Sequence, residues 1–239
     1  MRVINTRPQP DAASLTQALA ALGHDVIEAP LLDIMFEDRS GPLDLQDVQA
    51  VLATSANGVR ALAVATACRD IPLIAVGDAS ARTAEELGFS RVTSAGGDVG
   101  DLAATVIHTL DPADGALVHV AGSKVAGGLA GPLGSAGFAT RRVTLYESRA
   151  VASLPTATSR VLKSGIVDAV IFFSPRTAKT FVRLVADAGV AHACQLLNAY
   201  CLSPAVAEEA TGLVWRAVHV AERPAQDSLL DCLSDTALS

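Results

Sequence analysis

Short runs of β-branched and apolar residues alternate with Ala- and Leu-rich stretches of helical periodicity along almost all of the chain. Strands are predicted at Arg2–Thr6, Asp25–Glu28, Ala50–Thr54, Leu73–Val76, Arg91–Thr93, Ala116–Val120, Ala169–Phe173, Leu197–Leu202 and Val214–Val220. Helices are predicted at Asp11–Leu22, Asn57–Cys68, Ala79–Leu87, Asp98–Leu110, Arg176–Ala188 and Ala205–Ala210. Strand–helix alternation of this kind predicts parallel sheets joined by crossover helices. Ala169-Val170-Ile171-Phe172-Phe173 is apolar throughout, as a strand covered on both faces requires. The predicted class is α/β, with parallel sheets of the flavodoxin or Rossmann kind.

The chain also repeats itself. Ala50-Val51-Leu52-Ala53-Thr54-Ser55-Ala56-Asn57 resembles Ala169-Val170-Ile171-Phe172-Phe173-Ser174-Pro175-Arg176, each an apolar strand, a Ser and a helix start. Ala75-Val76-Gly77-Asp78-Ala79-Ser80-Ala81 then matches Cys201-Leu202-Ser203-Pro204-Ala205-Val206-Ala207, and Gly88-Phe89 matches Gly212-Leu213. The first unit has no counterpart directly after it, so two discontinuous domains are expected. Residues 1–35 with 150–239 form one, residues 38–143 the other. Segments 30–37 and 142–151 are strand-like and are expected to pair as a two-stranded hinge ribbon about which the domains move.

Composition narrows the function classes. Half of the 239 residues are hydrophobic, which offsets the entropy of ordering and excludes disorder. Aromatics are only 4%, so Ala, Val and Leu must fill the core. A net charge of −7 argues against nucleic-acid or polybasic membrane partners. No apolar run approaches a membrane span, and the first residues enter a strand pattern without a signal-peptide core, so a cytoplasmic protein is expected. Cys68, Cys194, Cys201 and Cys232 lack C-x-x-C spacing and read as reduced core thiols. The five histidines are dispersed, with His119 and His219 in apolar runs as structural residues, so no metal site is expected.

Each predicted strand-to-helix junction carries small or hydroxylated residues. They are Thr6-Arg7-Pro8, Thr54-Ser55-Ala56-Asn57, Gly77-Asp78-Ala79-Ser80, Ala121-Gly122-Ser123-Lys124, Ser174-Pro175-Arg176-Thr177 and Ser203-Pro204. In parallel sheets such junctions gather at the carboxyl edge, where helix N-termini suit anions. The same residue types are the ordinary choices for N-caps. Candidate anion-binding residues are Arg7, Thr54, Ser55, Asn57, Gly77, Ser80, Ser123, Lys124, Ser174, Arg176 and Ser203, with Arg7, Lys124 and Arg176 as the cations. No P-loop, dinucleotide fingerprint or G-x-S-x-G elbow is present.

These residues resemble a known family. Thr6-Arg7-Pro8 is similar to its opening T-R-P, and Thr54-Ser55-Ala56-Asn57-Gly58-Val59 to F-T-S-x-N-G-V, with Ala53 in place of Phe. Ala75-Val76-Gly77-Asp78-Ala79-Ser80-Ala81 resembles V-G-x-x-T-A, and Leu145-Tyr146-Glu147-Ser148 resembles V-Y-x-T. The family is uroporphyrinogen-III synthase, and order and spacing hold over essentially the whole chain. The resemblance implies two discontinuous α/β domains joined by a β-ribbon. It also implies cofactor-free dehydrative cyclisation of hydroxymethylbilane, a linear polycarboxylate tetrapyrrole, with ring D inverted.

By the same resemblance Tyr146 is the catalytic candidate, a phenol that hydrogen-bonds or protonates the departing hydroxyl. Ser80 stands where the family commonly has Thr. The family's second G-x-T-T is Ser203-Pro204-Ala205-Val206 here, and its Arg-Gly is Ala121-Gly122, leaving Lys124 as the replacement cation. A monomer is expected, with transient contact to the enzyme that makes the substrate. The competing expectation is a two-lobed α/β module that binds a small anion without catalysis; a nucleotide-binding regulator is disfavoured by the missing phosphate loop.

Overall fold

The structure, a computed structural model, describes residues 1–123 and 128–237. In chain order the first elements are β1 (Arg2–Asn5), α1 (Asp11–Ala21), β2 (Asp25–Glu28), β3 (Leu32–Phe36), β4 (Val48–Ala53), α2 (Ala56–Ala65) and β5 (Leu73–Ala75). There follow α3 (Asp78–Glu86), β6 (Val92–Ser94), α4 (Val99–Thr109), β7 (Ala116–Gly122), α5 (Ala130–Ser135) and β8 (Thr140–Ala150). The last are α6 (Thr156–Lys163), β9 (Ala169–Phe172), α7 (Pro175–Asp187), β10 (Asn198–Cys201), α8 (Pro204–Ala210), β11 (Ala217–Val220) and α9 (Gln226–Ala237). The class is α/β with two parallel-dominated sheets, as the alternation of strand and helix predicts.

The chain divides into two compact units. One comprises Met1–Asp33 and the chain from Arg149 onward, the other Ile34–Ser148. The first has a five-stranded sheet in the order β11-β10-β9-β1-β2, all neighbours parallel. The second has six strands in the order β3-β8-β7-β4-β5-β6, parallel from β8 to β6. β3 lies beside β8. Glu37 N–H bonds Leu145 O and Val151 N–H bonds Leu31 O, an antiparallel pairing of the two strands within which the chain passes between units.

Each sheet is covered on both faces, and strand residues alternate between the two cores. In the second unit Val51, Ala53, Val118 and Val120 pack with Val59 and Leu62 of α2 and Ala81 and Ala84 of α3. Ala50, Leu52 and Leu117 pack with Leu102 and Val106 of α4 and Leu133 of α5. In the first unit Ile4, Val170, Phe172 and Cys201 meet α6, α7 and α8. Val3, Ile171 and Tyr200 meet Leu15 and Leu19 of α1 and Leu229 and Leu233 of α9. Burial pushes the thiols of Cys194 and Cys201 up to about 12, in keeping with inert core residues.

The helix predicted over Asn57–Cys68 ends instead at Ala65, with Thr66 already extended (φ −149°, ψ 146°). Arg69 accounts for the stop. Its guanidinium donates to the carbonyls of Ala63, Thr66 and Cys68, its Nε donates to Leu87 O, and it lies 4.8 Å over the Phe89 ring. One side chain thus satisfies the orphan carbonyls at the end of α2 and ties them to the end of α3. α5, α6 and α9 are not among the predicted helices; α5 and α6 are short, and the longer α9 is fixed by burying Leu229 and Leu233.

Two outcomes follow from this packing. Arg69→Ala should cost about 2–3 kcal/mol of stability in denaturant titrations, because several carbonyls lose a charged donor. His119 on β7 is only 4% exposed. Burial first, and then the Arg142 charge beside it, lower its pKa from the usual 6.5. Below about pH 6.5 the unfolded chain takes up a proton that folded His119 refuses. Stability should therefore fall as the pH drops below that point, and His119→Gln should flatten the fall when unfolding is compared at pH 5 and pH 7.5.

Candidate functional site

In the second unit β4, β5 and β6 step outward in one direction, whereas β7 and β8 add on the other side of β4. Strand order therefore reverses between β4 and β7, and α/β sheets bind ligands beyond the strand carboxyl ends at such a point. In the first unit the corresponding reversal lies between β1 and β9.

At the β4 end, Ser55 is the N-cap of α2, and its Oγ accepts from Gly58 N–H at 3.1 Å. Gly58 eases the close approach to β7, since a Cβ there would stand 3.3 Å from Val120 O, tighter than an ordinary contact. At the β7 end, Gly122 pairs in register with Tyr146 of β8. The register shifts between Ala121, opposite Thr144, and Gly122, so Leu145 is the extra residue of a bulge. Regular alternation would send Leu145 and Tyr146 to opposite faces. With the bulge, both pack on the α2 side of the sheet. The Tyr146 ring lies against Gly122, where a Cβ would come within 2.9 Å of Cζ, and the phenol oxygen is 2.9 Å from Ser55 Oγ. Ser123 N–H bonds Tyr146 O, and Arg142 Nη2 bonds Gly122 O at 2.7 Å. Tyr146 is thus fixed from both its backbone and its ring.

The remaining residues sort by what already occupies them. Thr54 Oγ1 is 3.5 Å from His119 Nε2, and Asn57 Oδ1 accepts from Arg60. Gly77 is the N-cap of α3 without a side-chain bond, and Ser80 is buried in its first turn. Asp78 already places a carboxylate at that helix start, which opposes a second anion. Ser123 is exposed directly after β7, and Lys124 lies outside the described residues. In the first unit, Arg7 stands at the β1 end of the reversal. Its guanidinium is engaged with Asp11 at 3.1 Å, Gln226 at 3.0 Å and the Phe173 ring at 4.3 Å. Ser174 caps α7, accepting from Thr177 N–H, with Thr177 Oγ1 at 2.7 Å. Arg176 sits in the first turn of α7, with no acidic residue there. Ser203 precedes the short α8 without a side-chain cap bond.

The second unit therefore brings Thr54, Ser55, Asn57, Ser123 and Tyr146 to one carboxyl edge, while Gly77 and Ser80 stand one strand further out. Arg7, Ser174, Arg176 and Ser203 lie on the other unit's sheet edge. This second-unit edge offers a phenol, a hydroxyl, an amide-rich helix start and one neutral histidine, a set suited to proton delivery and anion contact. Among the described residues no group of three or more His, Cys, Asp or Glu could hold a metal ion. Sequence reasoning singles out neither Gly122 as the floor beneath Tyr146 nor Arg142. The Gly within Ala121-Gly122-Ser123 is a visible signal; the bulge at Leu145 has none.

A family model described as uroporphyrinogen-III synthase HemD matches residues 13–231. No curated protein matches the chain. Among solved structures, a uroporphyrinogen-III synthetase from Helicobacter pylori is similar over all of both chains, with TM-score 0.66 and 16% identity. A mutant uroporphyrinogen III synthase from Thermus thermophilus is similar over all of this chain and 99% of its own, with TM-score 0.55 and 17% identity. At these identities the structural likeness is one of fold, and the family model carries the assignment. This chain belongs to the uroporphyrinogen-III synthase family, the cyclases of tetrapyrrole biosynthesis.

Proposed function

We propose that the chain catalyses the dehydrative cyclisation of hydroxymethylbilane to uroporphyrinogen III with Tyr146 as the proton donor. The observation that carries this reading is the Tyr146 phenol, held 2.9 Å from Ser55 Oγ at the carboxyl edge where strand order reverses. The terminal pyrrole pushes out the hydroxyl as the C–O bond breaks, and the phenol proton goes to that oxygen, which leaves as water. The resulting azafulvene is attacked by the substituted carbon of ring D. The spiro product then rearranges, and loss of a ring proton restores the phenol. Net loss of one water makes the enzyme a hydro-lyase.

Carboxylate arms of the substrate are assigned to the α2 start, through Thr54, Asn57 and the backbone amides there, and to Ser123. Among the described residues no helix is long and apolar enough to cross a membrane. The reading carries a cytoplasmic monomer that receives its unstable substrate from the enzyme before it.

Tyr146→Phe should slow formation of the type III isomer by about ten- to a hundredfold, the lower part of the range for general-acid help, because the pyrrole already drives the hydroxyl out. Folding stability should change by no more than about 1 kcal/mol, since the ring still packs. An assay separating type I from type III isomers is the check; an unchanged rate and ratio would remove Tyr146 from the chemistry. Gly122→Ala should act oppositely in kind. The ring can swing from the added methyl at a cost of about 1–2 kcal/mol. The misplaced phenol should nonetheless lose about tenfold or more in kcat, so a Gly122→Ala enzyme of full activity would show that ring placement is unimportant.

A further inference from the structure

We propose that Ser55 is a positioning residue, whose hydroxyl donates to the Tyr146 phenol oxygen and leaves the phenol proton aimed at the departing hydroxyl. This rests on the reading of Tyr146 as the proton donor. The case begins with valence. A serine hydroxyl has one proton and two lone pairs, and a phenol has one proton of its own. Gly58 N–H takes one lone pair of Ser55 Oγ. The 2.9 Å contact between the hydroxyls admits either direction. If Tyr146 donated to Ser55, its single proton would be spent on the protein. If Ser55 donates, the chain of bonds runs from the Gly58 amide through Ser55 to Tyr146, and the phenol proton remains available.

The second direction also serves the charge that develops. Once the proton is delivered, the phenolate oxygen already has a donor pointed at it, so no reorganisation is needed at that moment. Behind Ser55 stands the positive end of the ten-residue α2, whose first turn contains no acidic residue to cancel it. Bonds in such a chain polarise one another in the same sense.

The repeat within the chain provides an internal comparison. Ser174 caps α7 with the same extended backbone and the same bond to the amide three residues on. There, however, the third residue is Thr177, whose Oγ1 lies 2.7 Å from Ser174 Oγ and engages it. At the matching place in α2 stands Gly58, which has no hydroxyl, and the tyrosine from β8 takes that partnership instead. Capping alone therefore does not explain the Ser55–Tyr146 contact.

The experiment measures kcat, KM and isomer ratio with hydroxymethylbilane for Ser55→Ala, Ser55→Thr, Ser55→Asp, Tyr146→Phe and the Ser55→Ala/Tyr146→Phe double variant. Ser55→Ala should lower kcat about tenfold, the kinetic equivalent of one hydrogen bond, with KM held within about twofold. Ser55→Thr keeps the hydroxyl and should retain most of the rate. Ser55→Asp keeps a strong cap but has no proton to give, so it should be as slow as Ser55→Ala even if the alanine variant folds poorly. The double variant should be no slower than Tyr146→Phe alone. Normal kcat in Ser55→Ala or Ser55→Asp, beside a slow Tyr146→Phe, overturns the relay and leaves Tyr146 as the donor. A raised KM with intact kcat overturns it by making Ser55 a carboxylate contact, and so does an additive loss in the double variant. Wild-type rate in Tyr146→Phe overturns both readings.

Discussion

The handedness of strand–helix–strand crossovers constrains everything else in the second unit. Because each crossover is right-handed, a sheet that grows first to one side of β4 and then to the other must place its helices on opposite faces. That is the observed division, with α2 and α3 packed on one face and α4 and α5 on the other. Among the described residues no helix connects β4 to β7 directly, and strand order reverses between them. The α2 start must then approach β7 closely, and Gly58, with Val120 O 3.3 Å from where its Cβ would be, permits that approach. The Ser55–Tyr146 pair sits beside this reversal.

The second requirement is to bring a phenol to that place from a strand that faces the wrong way. A regular β8 would bury Leu145 and turn Tyr146 to the other face. One extra residue places both on the α2 side, and the missing side chain of Gly122 leaves room for the ring against it. The result is a polar pair on an apolar layer, with Leu145 2% exposed next to it. On the proposed reading a chain of net charge −7 accepts a polyanion through amides and helix ends rather than through its summed charge. Burial, and then the Arg142 charge, lower the pKa of His119 and so disfavour a charge on that ring.

The class of the fold was legible because its signals are local and repeated. Ala169-Val170-Ile171-Phe172 reads as a strand covered on both faces, and it is fully buried. The Ser-then-helix pattern at Ser55 and Ser174 reads as two N-caps, and both bind the amide three residues on. What escaped depends on side-chain partners that hydrophobic periodicity does not reveal. The end of α2 is set by Arg69 reaching back to Ala63 and across to Leu87. The charge of Arg7 at the β1 end is taken up by Asp11 and by Gln226, the latter more than two hundred residues away. The pairing of Ser55 with Tyr146 spans ninety-one positions and depends on a bulge that no residue type announces.

The internal repeat shows why backbone symmetry does not carry chemistry with it. β4–α2 and β9–α7 share strand, cap and helix, and their cap residues have nearly the same dihedral angles, −163° and 156° for Ser55, −149° and 150° for Ser174. The difference lies in the third residue of each helix and in what stands beside the sheet. Thr177 closes the Ser174 hydroxyl upon its own helix, and the strand beside β9 at its reversal is β1, followed outward by β2, whose residues Asp25–Glu28 carry no hydroxyl. Gly58 leaves the Ser55 hydroxyl open, and β7 is followed outward by β8, the strand that brings Tyr146. In one repeat the serine hydroxyl is engaged within its own helix, while in the other it meets a phenol. The asymmetry arises from a missing side chain and an added strand residue, both beside the reversal of strand order.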